Sequence, residues 1–189
     1  MTNLIEKVRS CTLCQDLPLG PRPILQYSAD AKILIAGQAP GRITHHKGIP
    51  FDDPSGERLR DWMGIDRAVF YDAKKIAIIP MGFCFPGTGK NGDLPPRTIC
   101  AETWHQQLLT SLPKLELTLI IGRYALDWHL KPSKQQTLTN IVNDWPSYLP
   151  SHIPLPHPSP RNNRWLKNNP WFEETLLPIL KQRVQSLLD

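Results

Sequence analysis

The sequence predicts an α/β fold, a mostly parallel four-stranded sheet with helices on both faces. Three observations predict it. Short apolar, β-rich runs recur at 32–36, 75–79, 117–121 and 152–155. The first three end on a breaker: Gly37, Pro80 and Gly122. Segments with helical spacing of apolar residues separate these runs and follow the last. Strand and helix in alternation give parallel pairing, because a parallel partner is reached only by a crossover. Such a sheet carries its ligand site at the carboxyl ends of its strands.

Composition narrows the class further. The 189 residues, 40% hydrophobic and 21% charged, suffice for one domain (1–189) with a sizeable core and are thin for two. The 20 prolines argue against a helical bundle, since each removes a backbone donor and fixes φ. No apolar run approaches the ~18–20 residues of a membrane span. The charged, amphipathic start at 1–9 lacks the apolar core of a secretory signal. The expected location is cytoplasmic, with no membrane partner, and the expected state is a monomer. There the four cysteines are reduced thiols rather than disulfides. With 22 Lys and Arg against 17 acids the net charge is +5, which permits a polyanionic partner without requiring one.

Taken in order, residues 2–9 read as a short helix leading into Cys11 and Cys14. Prolines 18, 21 and 23 make 17–27 an extended connection. The run at 32–36 is a buried strand, and a long loop follows to Pro54. Ser55 is the predicted N-cap of a helix whose apolar face is Leu59, Trp62 and Met63. The second strand, 75–79, leads into a Gly/Pro-rich loop at 86–96. Thr98 is the predicted cap of a helix reaching about residue 112. The third strand is 117–121, with a helix after it. The fourth, 152–155, contains Pro154 and so belongs at a sheet edge. A last helix, 171–188, buries Leu176, Leu177, Leu180, Val184 and Leu187 despite Pro178.

The cysteines fall into two pairs, Cys11-x2-Cys14 and Cys84-x15-Cys100, which use every cysteine in the chain. Four thiolates suit zinc or an iron–sulfur cluster. The second pair does not repeat the close spacing of a zinc ribbon, which favours the cluster. Four buried free thiols are the plain alternative.

The loops expected at the strand ends carry the remaining chemistry. The first is Gly37-Gln38-Ala39-Pro40-Gly41, followed by 45–56 with Phe51, Asp52 and Asp53. Its glycines let backbone approach a planar ligand, and Phe51 offers a stacking face. The last is His157-Pro158-Ser159-Pro160-Arg161-Asn162-Asn163. His157 can donate to an anionic oxygen. Arg161, Arg164 and Lys167, with Trp165 among them and no acid between, are what a DNA wedge or backbone clamp needs. Each has an ordinary reading as well. Phe51 could be core, Asp53 a helix cap, and the three cations a solvated face. His45 and His46 read as loop residues near DNA, and Asn91 and Asp93 as turn formers.

These motifs, in this order and with this cysteine spacing, resemble the uracil-DNA glycosylase superfamily, most closely its iron–sulfur branch, often called family 4. That branch has Gly-Glu-Ala-Pro-Gly, then Gly-Arg-Pro-Phe, then His-Pro-Ser or His-Pro-Ala, over a span matching about 5–171 here. The resemblance implies a three-layer αβα sandwich and a [4Fe–4S] cluster on Cys11, Cys14, Cys84 and Cys100. It implies an enzyme that flips a deaminated base, uracil first, out of DNA and hydrolyses its N-glycosidic bond. Gly37, Gln38 and Ala39 would line the base pocket and position a water. Phe51 would stack on the base, and His157 would bond its O2. Ser159, Arg161, Asn162, Arg164 and Lys167 would hold DNA.

Two positions depart from the pattern. Pro80 stands where the family reads the uracil edge with an Asn, which opens hypoxanthine or xanthine as the substrate base. Gln38 replaces a Glu and cannot act as a base. That leaves Asp53, in preference to Asp52, as the catalytic carboxylate beside His157 and Gln38. A non-catalytic iron–sulfur protein that binds nucleic acid is the reading from a different class.

Overall fold

A computed structural model describes residues 3–90 and 92–188. In chain order the first elements are α1 (Leu4–Arg9), β1 (Ile33–Ala36), α2 (Arg42–Lys47), α3 (Pro54–Met63), α4 (Arg67–Phe70) and β2 (Ile76–Ile78). A small hairpin, β3 (Thr88–Gly89) and β4 (Gly92–Asp93), precedes α5 (Thr98–Cys100), α6 (Gln106–Thr110) and β5 (Leu117–Ile121). Then come α7 (Arg123–His129), α8 (Leu138–Asn143), β6 (His152–Leu155), α9 (Asn163–Asn168) and α10 (Leu177–Leu188).

The main sheet has the order β2-β1-β5-β6, with every neighbouring pair parallel. The strands are apolar but for Thr118 in β5 and His152 at the start of β6, because helices cover both faces. Their alternation sorts the core. Ile33, Ile35, Ile76, Ile78, Leu117, Leu119 and Ile121 pack with Leu59, Trp62 and Met63 of α3 and with the α10 stripe. Leu34, Ala77 and Ile79 point the other way, onto Val8 of α1 and Leu108 of α6. Ala36 and Ile120 meet Ala125 and Leu126 of α7. The result is the αβα sandwich that the sequence predicts. Pro154 lies in β6, which is an edge strand. Among the described residues no helix is long and apolar enough to cross a membrane.

Several local expectations give way. α1 begins at Leu4 with Asn3 and Glu6 as a capping box, and residue 2 of the expected helix lies outside the described residues. The N-cap of α3 is Asp53 rather than Ser55, since Pro54 takes the first helical position that proline favours. Arg97, not Thr98, precedes α5, and it makes no side-chain cap bond. A wider π-helical turn at Ala101–His105 separates α5 from α6, which stops at Thr110. A second π turn, Phe172–Leu176, precedes α10, just ahead of Pro178, which lacks the N–H an unbroken helix would use. The expected loops are also more structured. The 37–54 segment contains α2, and 86–96 contains the β3–β4 hairpin.

Candidate active-site cleft

A cleft of about 550 Å³ opens at the carboxyl ends of β1, β2 and β6. Its walls come from segments far apart in sequence: the loop after β1, the 50–55 turn, Pro80 after β2, the hairpin, and the loop after β6.

The loop after β1 is tied down through its carbonyls. Gly37 accepts from the Met81 N–H at 2.9 Å, and Gln38 from Gly82 at 3.0 Å. Among the described residues the N–H groups of Gln38 and Ala39 meet no backbone acceptor. A cleft wall with fixed carbonyls and free donors is suited to a ligand oxygen.

Phe51 sits in this cleft with φ at 55°, a left-handed conformation that is rare for a large side chain. Two glycines make room for it. A Cβ on Gly37 would lie 3.3 Å from the Phe51 ring, and one on Gly56 would lie 1.7 Å from the Phe51 carbonyl oxygen. The ring meets Phe70 edge-on at 6.3 Å. Strained backbone at a ligand site is a recurring association.

The two neighbouring carboxylates separate. Asp52 turns to the surface, where Arg67 at 2.6 Å and Lys47 at 3.1 Å hold its carboxyl below the usual carboxylate range. Asp53 lines the cleft, and its Oδ1 accepts the Gly56 N–H at 2.9 Å as the cap of α3.

His157 follows β6 and is partly buried. Burial pushes its pKa below the ordinary imidazole value, and the carboxylates of Asp53 and Asp93 pull it partly back. Its Nδ1 accepts the Ser159 N–H at 3.2 Å, so the proton of the neutral ring belongs on Nε2. Asn162 braces the same turn through a 2.7 Å bond from its Nδ2 to the His157 carbonyl.

Of the residues singled out in sequence, Gly37, Gln38, Ala39, Phe51, Asp53, His157, Ser159, Arg161 and Asn162 line the one cleft. Arg164 and Lys167 do not, and they lie on α9 rather than on a loop. Lys167 borders a separate shallow groove with Arg58 and Asn163. Trp165 turns inward, bonding Thr139 at 2.8 Å and packing on Phe172, so it is unavailable as a wedge. His45 and His46 belong to α2, with His45 buried beside Phe85. Among the lining residues to which sequence reasoning assigned no site role, Tyr124 of α7 and Asp93 of the hairpin carry titratable side chains. A turn-rich stretch gives no hint that it folds back over a site. Asn91, expected as a turn former, lies outside the described residues.

Behind the cleft floor, all four cysteines line one small pocket whose other walls are apolar: Leu13, Pro21, Pro23, Phe83 and Ile99. Cys100 is buried, and the other three are partly exposed. Burial pushes the Cys84 thiol up to about 11 and raises that of Cys100 as well. The Arg22 N–H donates to Cys84 Sγ at 3.3 Å. Among the described residues no three His, Cys, Asp or Glu side chains are grouped as a metal ion would need.

The uracil DNA glycosylase superfamily model matches residues 25–181. The match includes Cys84 and Cys100 and begins after Cys11 and Cys14. The fold is also that of a solution structure from Methanosarcina acetivorans, a protein provisionally named as a uracil DNA glycosylase. The likeness has a TM-score of 0.50 at 17% identity and covers 86% of this chain and 97% of that one.

Proposed function

The chain belongs to the uracil DNA glycosylase superfamily, and on that premise we propose that it is a DNA-repair N-glycosylase acting on a deaminated base flipped from DNA. The observation that carries this reading is the convergence of Phe51, His157 and the free N–H groups of Gln38 and Ala39 on one cleft.

A base inside a duplex is out of reach, so it is extruded at a cost of about a few kcal/mol. Phe51 stacks on its face. The Gln38 and Ala39 N–H groups donate to its carbonyl oxygens, and Gly37 keeps the wall thin. Breaking the N-glycosidic bond puts negative charge on the departing base and positive charge on the sugar. His157, neutral with its proton on Nε2, donates to the base O2 as charge builds there. The Asp53 carboxylate, held by its cap bond, opposes the sugar cation. Ser159, Arg161 and Asn162 occupy the gap that the base leaves, while Arg164 and Lys167 meet phosphates beside it.

Uracil is the first candidate base. Pro80, on the cleft lining without a side-chain donor or acceptor, supports hypoxanthine or xanthine as the alternative. The cysteines fit a [4Fe–4S] cluster. The four cysteines line one pocket, and four thiolates held by a single zinc ion are the alternative. The N–H donated to Cys84 suits a thiolate, while the apolar lining keeps the unliganded thiols neutral, so bound iron would supply the charge that stabilises the thiolates. Such a cluster would cross-link Cys11 and Cys14 to the segments flanking the hairpin. The cysteines would supply that anchor, with no part in the hydrolysis.

The test is base release from single- and double-stranded oligonucleotides carrying uracil, hypoxanthine or xanthine, with wild type and His157→Ala. Release that His157→Ala abolishes supports the reading. DNA binding without release of any base would point instead to a non-catalytic binding protein.

A further inference from the structure

The hairpin β3–β4 has no part in the reading above, yet it forms one wall of the cleft. Gly92, with φ at 131°, lets the hairpin close against the loop after β6, since a Cβ there would lie 2.2 Å from Arg161 Nη1. At its base the Leu94 N–H donates to the Gly87 carbonyl at 2.8 Å. Leu94 and Pro18 both crowd Gly87, where a Cβ would meet each at 3.2 Å. The hairpin is therefore braced from three sides, and it lies between Cys84 and Cys100.

This bracing holds Asp93 at the cleft. Its Oδ2 would lie 3.2 Å from a Cβ on Gly41, so it faces the loop after β1. It also acts electrostatically on His157. Among the described residues its carboxylate has no hydrogen-bond or ion-pair partner. The other groups near the reacting bond are less free. Gln38 is an amide and accepts no proton. Asp53 already spends one oxygen on the α3 cap.

Resting on the glycosylase reading, we infer that Asp93 is the catalytic carboxylate that orients the attacking water and takes its proton. The water oxygen bonds to C1′ of the sugar. The C1′–N bond breaks, and its electron pair leaves with the base. Asp93 receives the proton that the water loses and returns it to solvent, and the base anion takes a proton from solvent. Asp53 keeps the electrostatic task next to it, so the two carboxylates divide what one could not do while capping a helix. Asp93 is exposed in the free protein, which leaves it open to the water it needs.

The experiment measures single-turnover base excision and DNA affinity for wild type, Asp93→Asn, Asp93→Ala and Asp53→Asn. Removing a general base is expected to slow excision by about 10²-fold or more, with affinity for DNA unchanged. Formate, a small carboxylate, is expected to restore part of the rate to Asp93→Ala, which a merely structural residue would not allow. Asp53→Asn keeps a capping side chain and should lose less. Wild-type rates in Asp93→Asn overturn the inference while leaving the glycosylase reading intact. So does a loss of DNA affinity in Asp93→Ala with no formate rescue. A wild type that releases no base removes the reading and the inference together.

Discussion

The cleft and the cysteine pocket are separated by only a few residues of β2 and the segment after it, yet they are built on opposite terms. The cleft is wide, and it keeps polar groups without partners among the described residues: the Gln38 and Ala39 N–H groups and the Asp93 carboxylate. The pocket is small and walled by prolines, Phe83 and Ile99 around four thiols. Open to water, the polar groups of the cleft carry no burial penalty and remain available to a ligand that enters it. The thiols are gathered in an apolar pocket, where the proposed cluster would be shielded from exchange. The difference teaches that truncation in the cleft should cost rate and little stability, and truncation in the pocket the reverse.

The wall between them is His105. Its Nε2 lies 3.0 Å from the Pro80 carbonyl oxygen on the cleft side, and its ring stacks on Phe83 of the pocket at 5.7 Å. One buried side chain thus touches a lining residue of each region.

The largest effect tests the cleft. His157→Ala removes one preorganised donor, and excision should fall by about 10²–10³-fold, measured by product formation. Its melting temperature should stay near that of wild type, because the ring is only partly buried. A variant that melts early would break the comparison, since His157 would then be holding the fold.

The next tests the pocket. Cys84→Ser removes a ligand of the proposed cluster, and metal-binding free energy is folding free energy. The loss should be several kcal/mol, and at roughly 2–4 °C per kcal/mol the melting temperature should fall by about 10 °C or more. Anaerobically purified wild type should be brown, and the variant pale. An unchanged melting curve and a colourless wild type would leave four inert thiols.

A smaller effect tests the wall. Burial pushes His105 and His129 down to about 4 from the ordinary imidazole value of 6.5. Well above pH 6.5, from about pH 7.5, both are neutral in either state, so stability does not depend on them. Between 6.5 and 4 the unfolded chain binds protons that the folded one refuses, and stability falls as pH falls. Each unit is worth about 1.4 kcal/mol, so the loss by pH 4 is on the order of a few kcal/mol. Thermal melting from pH 7 to pH 4 should show it, and His129→Gln should flatten the slope. A flat profile in wild type would mean that these rings protonate freely.

What the sequence made legible follows from where its signals are local. The four strands could be read to within a residue or two, because apolar runs ending at Gly37, Pro80 and Gly122 are signals carried by neighbours. The loops could be assigned to one edge because topology alone sends them there. The hairpin was illegible: β3 and β4 have two residues each, too few for any alternation, and their position depends on Pro18 and Arg161 from elsewhere in the chain. Asp93 therefore looked like a turn former. Trp165 looked like a wedge because its partners Thr139 and Phe172 are distant in sequence. The cap of α3 is legible as the ordinary reading of Asp53 and not as Ser55, because Pro54 favours the first helical position.

The smallest effect concerns the rim. Arg164 and Lys167 are one helical turn apart on α9, both exposed and outside the cleft. Charges that meet phosphate contribute affinity through counterion release, without regard to the base. Arg164→Ala and Lys167→Ala should each weaken binding alike for DNA with and without a damaged base, and each should reduce the salt slope of log K by about 1. Single-turnover excision at saturating DNA should not change, since neither side chain borders the cleft. A variant that keeps its salt slope but loses cleavage would move the boundary of the reacting site onto α9, and the division between a polar cleft and a separate charged rim would no longer describe this surface.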